Sequence, residues 1–144
     1  LPTIGAFHTL ISSGIMLQFP RLRFGFVEAG AQWLPSALRD LKRRAIALGR
    51  NLDGNLLAEH RVWVTCETDD DVPYILTYDT GDHLVMGTDY GHADQSTELD
   101  ALSRLRALPG VSEDAWRKIV DDNARALFGP TLQAQYRQPV AAGR

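Results

Sequence analysis

The sequence predicts an α/β fold, a parallel sheet of three strands with flanking helices, and three observations predict it. Short apolar runs alternate along the chain with stripes of helical period. Each run is apolar at consecutive positions, as in strands covered on both faces. Each also ends in an acid, at the place where parallel α/β proteins gather functional side chains.

The elements follow in order. Behind Pro2 and Thr3, a candidate N-cap, the spacing of Ile4, Phe7, Ile11 and Ile15 predicts a helix over 4–18. Phe19-Pro20 ends it, because proline disfavours helical backbone in the residue before it. Leu22 to Val27 is the first strand, and Ala29-Gly30-Ala31 turns the chain. Leu34, Leu38, Leu41, Ala45 and Leu48 mark a helix closed by Gly49, with Lys42-Arg43-Arg44 on its solvated side. Residues 50–60 read as a loop, and Val62 to Cys66, β-branched and aromatic, as the second strand.

Asp69-Asp70-Asp71 precede a short helix through Val72, Ile75 and Leu76, where acids complement the helix dipole. With Glu67 they read as capping and solvated acids. Gly81-Asp82 leads into a third strand, His83 to Gly87, ending at Thr88-Asp89. Leu99, Leu102 and Leu105 mark a helix that Pro109-Gly110 breaks, and Ser112 with Glu113 opens another that runs through Ile119 to Leu127. Residues 131–144 read as a tail.

Strands alternating with helices imply right-handed crossovers. Three parallel strands alone leave open edges and expect cover on both faces. The sequence therefore reads as a slice of a larger α/β structure. The missing strands come either from an upstream segment, as a start at leucine rather than methionine suggests, or from homo-oligomeric assembly.

Composition narrows the function. With 144 residues, 44% hydrophobic and 23% charged, the chain has the make-up of one soluble globular domain. A net charge of −3 and the lack of interleaved basic and aromatic residues argue against nucleic acid. No run approaches the roughly 18 apolar residues that suggest a membrane span. The single cysteine, Cys66, cannot form an internal disulfide and reads as a small buried hydrophobe, consistent with the cytoplasm.

The chemistry lies in the strand-end acids Glu28, Glu67 and Asp89. A carboxylate there is costly to desolvate unless paired, hydrogen-bonded or bound to a cation. Three at one rim invite a cation, and nearby His92 favours zinc, manganese or iron over an all-oxygen site. His8, beside Phe7, reads as a packed histidine, and Trp33 as packing near the turn.

Three blocks carry a resemblance. Phe19-Pro20-Arg21-Leu22-Arg23-Phe24-Gly25-Phe26-Val27-Glu28-Ala29-Gly30-Ala31-Gln32-Trp33-Leu34-Pro35, then Gly87-Thr88-Asp89-Tyr90-Gly91-His92-Ala93-Asp94, then Asn123-Ala124-Arg125-Ala126-Leu127-Phe128-Gly129. In order and interval the chain resembles the closing third of the amidohydrolase-related metal-dependent hydrolases, the group that includes the aminocarboxymuconate-semialdehyde decarboxylase-like enzymes.

The resemblance implies that residues 1–130 are the C-terminal part of a (β/α)8 TIM barrel, its strands six to eight. It implies that Asp89 is a ligand of a divalent metal, with zinc first and manganese or iron as alternatives, acting on a small carbonyl or carboxylate compound. Glu28 stands where decarboxylase-like members often carry a catalytic histidine, which turns the expectation from decarboxylation toward hydrolysis. Glu28 and His92 are the candidate catalytic residues. The family's H-x-H pair has no counterpart among His8, His60, His83 and His92. Three readings follow: a metal-dependent hydrolase completed by further strands, a self-associating remnant without catalysis, or a small-molecule binding module.

Overall fold

In the computed structural model, which describes residues 2–78, 80–91 and 97–129, everything is arranged about β2, Val62–Cys66. It lies between β1, Phe24–Phe26, and β3, Leu84–Met86, in the order β1-β2-β3 with both pairings parallel. The three parallel strands and flanking helices are as expected, though the outer two are shorter than their apolar runs.

Side chains alternate across a strand, so register decides what shares a face. Phe24 pairs with Val62, Phe26 with Val64, and Val64 with Leu84. These residues and Cys66 all belong to the core or pack against it. The core fills the layer between this face and α1, Pro2–Ser12; α3, Leu34–Ala47; and α5, Val72–Leu76. The α3 stripe Leu34, Leu38, Leu41 and Ala45 is buried as its period predicts. Phe7, Phe26 and Trp33 meet edge to face with ring centroids 5.4 to 5.8 Å apart, so Trp33 packs, and its indole donates to Gly30 O at 2.8 Å.

The opposite face carries Gly25, Trp63, Thr65 and Val85 by the same register. At its lower end the Trp63 and His83 rings lie 5.2 Å apart, and a Cβ on Gly25 would sit 3.2 Å from Leu127 Cδ2. Asn123 fixes this arrangement. Its buried side chain donates to Gly81 O and Leu84 O, both at 2.8 Å, tying α8, Asn123–Phe128, to the start of β3.

Four helical expectations are corrected. The helix expected over 4–18 breaks at Gly14 (φ 71°), giving α1 and a separate α2, Ile15–Gln18. The loop expected over 50–60 contains α4, Leu56–His60, which Asn55 caps by accepting the Leu57 and Ala58 N–H groups. The expected last helix divides into α7, Glu113–Arg117, a π-helical turn over Lys118–Asp122, and α8. In α6, Ala101–Ala107, the buried residues are Ala101 and Leu105, while Leu99 and Leu102 are exposed. No helix among the described residues is long and apolar enough to cross a membrane.

Candidate active site at the strand ends

Parallel pairing brings the C-terminal ends of the three strands to one rim. Glu67 follows β2 directly, Glu28 stands two residues beyond β1, and Asp89 three beyond β3. Glu28 (φ 56°), Asp89 (φ 48°) and Arg61 (φ 51°) are the described non-glycine residues with left-handed backbone. Such a conformation costs on the order of 1–3 kcal/mol and persists only where surroundings enforce it. Arg61 is explained by its place as the left-handed C-cap of α4, and its guanidinium donates to Leu22 O and Met16 O. The other two lie at the rim, and no spacing in the sequence announces their strain.

The rim is held by Asp70. Its Oδ2 accepts the N–H groups of Ala31 at 2.8 Å and Glu67 at 2.9 Å, and its Oδ1 that of Gln32 at 2.8 Å. The Gln32 side-chain oxygen accepts the Asp71 N–H at 2.8 Å in return. The turn after β1 and the turn after β2 are thus stitched together. Gly30 (φ 55°) belongs to this clamp, since a Cβ there would lie 3.3 Å from Asp70 Oδ1. The reading of Asp69 to Asp71 as capping and solvated acids therefore holds for Asp69, which is exposed, and for Asp71, which caps α5 through the Tyr74 N–H, but not for Asp70.

Beside the clamp opens a cleft of 290 Å³ lined by Glu67, Thr68, Asp69, Thr88, Asp89 and Glu98, with Gly87. The Gly87 N–H donates to Cys66 O at 2.8 Å, and the Thr97 hydroxyl to Asp89 O at 2.9 Å, which fixes the backbone on both sides of Asp89. Glu98 is neutralised by Arg104 and accepts the Thr68 hydroxyl. Burial, then the charges of Asp70 and Asp69, raise the Glu67 pKa against the opposing hydrogen bond from Gly30, and Asp89 adds to the rise. Cys66 below is inert, its thiol pushed up to about 12 by burial and by Asp70.

An acidic cleft at the ends of parallel strands is the arrangement that the sequence blocks anticipate. Residues 2–129 match the model of the amidohydrolase family. The chain belongs to that family. The crystal structure of an amidohydrolase from Mycobacterium avium subsp. paratuberculosis K-10 is similar to it, with a TM-score of 0.68 and 24% identity over 88% of this chain. The match covers 34% of that protein, so this chain spans about a third of its length. No curated protein matches.

For an amidohydrolase chain, the candidate residues divide. Asp89 is brought into one cleft with Glu67, which had read as a capping acid. Glu28 is exposed at the neighbouring strand end and does not line that cleft. His92 lies outside the described residues, as does the segment 131–144. His8 packs, its Nε2 lying 3.3 Å from Ala37 O. Among the described residues, no three His, Cys, Asp or Glu side chains are grouped closely enough to hold a metal ion. The described donors by themselves therefore do not fit a complete metal site.

Proposed function

We propose that this chain is the C-terminal third of a metal-dependent amidohydrolase, with β1, β2 and β3 as the sixth, seventh and eighth strands of a (β/α)8 barrel. Asp89 contributes one ligand to a divalent ion, zinc before manganese or iron, and further strands contribute the others. The observation that carries this reading is Asp89 itself, held in left-handed backbone inside an acidic cleft at the end of a parallel strand. A bound ion supplies Lewis acidity and lowers the pKa of a water. Glu67 holds a proton more readily than an ordinary carboxyl. Glu28 faces the same rim from β1 and, with His92, orients a small carbonyl or carboxylate substrate or moves its proton.

Within the superfamily we place the chain near the aminocarboxymuconate-semialdehyde decarboxylase-like branch. Glu28, in the place of the histidine common there, supports hydrolysis over decarboxylation. The open edges of β1 and β3 are covered by the remaining strands of the barrel or by another copy of the chain. The test is elemental analysis of the protein expressed from its whole coding sequence, beside its Asp89→Ala variant, with both checked for folding by circular dichroism. Near-stoichiometric zinc, manganese or iron that drops at least tenfold in a folded variant is the expected result. Equal metal in both proteins would overturn Asp89 as a ligand, and none in the parent would overturn the metal-dependent reading and leave the inert-remnant reading standing.

A further inference from the structure

On the helical face, away from the rim, a groove of 460 Å³ lies between α3, residues 53–56, and Thr77 with Tyr78. Topology puts it near the opposite ends of the strands, because residues 53–56 lead toward the start of β2, and Thr77 and Tyr78 toward that of β3. Three cations line it: Arg39, Lys42 and Arg43. They are spaced i, i+3 and i+4 along α3, so they share one helical face. The acid in the lining is Asp53, which accepts from the Asn51 side chain. Three positive groups against one negative give a local excess of two on a chain whose net charge is −3.

The basic residues are not spent on neighbouring acids. Arg44, one stripe over, pairs with Asp40 at 2.8 Å, whereas no ion pair among the described residues engages Arg39, Lys42 or Arg43. Arg39 lies near the Tyr74 hydroxyl, whose pKa is raised by the Tyr78 hydroxyl 3.0 Å away and lowered by the charge of Arg39. Two guanidinium groups and an ammonium on exposed side chains lining one concavity offer donors of the kind that suit the oxygens of a phosphoryl group. The buried Leu38 and Leu56 and the exposed Ile46 add apolar wall beside them.

We propose that this groove binds a phosphoryl-bearing small molecule, held by Arg39, Lys42 and Arg43 at its anionic end and by the apolar wall at the other. The site is independent of the hydrolase reading, since it shares no residue with the rim. Calorimetric titration with inorganic phosphate and with phenyl phosphate, at ionic strength held constant with chloride, tests it. Saturable binding is expected, weakened at least tenfold in each of the single variants Lys42→Gln and Arg43→Gln and unchanged in Arg44→Gln, which removes an equal charge from the same helix outside the groove. Tighter binding of phenyl phosphate identifies an organic phosphate as the ligand, and equal affinity identifies free phosphate. No saturable binding of either probe, or equal weakening by Arg44→Gln, would overturn the proposal.

Discussion

Asp70 Oδ2 accepts the backbone N–H of Ala31 at 2.8 Å although 39 residues separate the two. The same carboxylate also takes the N–H groups of Gln32 and Glu67, so one side chain sets the spacing between the turns that follow β1 and β2. Glu28 stands at one of these turns and Glu67 at the other. The distance between the candidate acids is thus a property of Asp70 rather than of either acid.

Removing the clamp is expected to be costly. Hydrogen bonds to a charged group contribute roughly 1.5–3 kcal/mol each, less for those near solvent. Asp70→Ala, which leaves three N–H groups without their acceptor, is predicted to lower the unfolding free energy by about 3 kcal/mol in urea denaturation. Asp70→Asn keeps one acceptor oxygen and is expected to fall between wild type and Asp70→Ala. A loss below about 1 kcal/mol in the alanine variant would show that water replaces the clamp freely.

Glu28 offers a separate test of strain. Both Glu28→Gly and Glu28→Ala delete the side chain, so their difference isolates the backbone at φ 56°. Alanine there has left-handed strain and glycine does not, against glycine's larger entropy in the unfolded chain. Glu28→Gly is expected to be about 1 kcal/mol more stable than Glu28→Ala by thermal or urea unfolding. Equal stabilities would mean that the turn relaxes out of the left-handed region once the glutamate is gone.

Much of this architecture was legible from periodicity. The α3 stripe, the β2 run and the Ser112 cap each depend on residues a few positions apart, and each formed as read. What escaped was long-range. The Asp69-Asp70-Asp71 triplet looked like helix-capping charge because its local neighbours explain it, but Asp70 answers to a turn 38 to 39 residues upstream. The break at Gly14 and the short α4 escaped for a different reason: a continuing apolar stripe hid the first, and α4 is under two turns long. Asp89 and Glu28 stand out in the sequence as candidates because strands end beside them, whereas the meeting of Asp89 with Glu67 in one cleft, which Glu28 does not line, required the register of β2 on β3.

Glu67 should make stability depend on pH in a distinctive direction. Its folded-state pKa lies above the ordinary value of 4.5, because burial and the charges of Asp70 and Asp69 disfavour ionisation. Between the unfolded and folded values the folded protein holds a proton that the unfolded chain has released, so stability falls as pH rises through that window and stays lower above it. Glu67→Gln cannot ionise and lacks this loss. With a chelator present to exclude metal, the unfolding free energy of Glu67→Gln relative to wild type is expected to improve between pH 4 and pH 7. A flat or opposite difference would show that the cleft solvates the ionised form.

The attachment of the last helix can be tested through Asn123. Its Nδ2 hydrogens are both committed, to Gly81 O and Leu84 O, and the residue is only 5% exposed. Asn123→Ala leaves two carbonyl oxygens without those donors, and an unsatisfied buried acceptor costs on the order of 1–3 kcal/mol. A loss of about 3 kcal/mol in urea denaturation is expected. Asn123→Asp is nearly isosteric but presents a carboxylate to those two oxygens, so it should be worse than alanine at pH 7 and recover toward the alanine variant near pH 4, where the acid can protonate and donate once. That inversion separates the hydrogen bonds from packing, because packing alone would leave the near-isosteric variant the milder of the two. Amide hydrogen exchange would locate the damage: faster exchange confined to α8 and the start of β3 is expected if Asn123 is what holds the helix to the sheet.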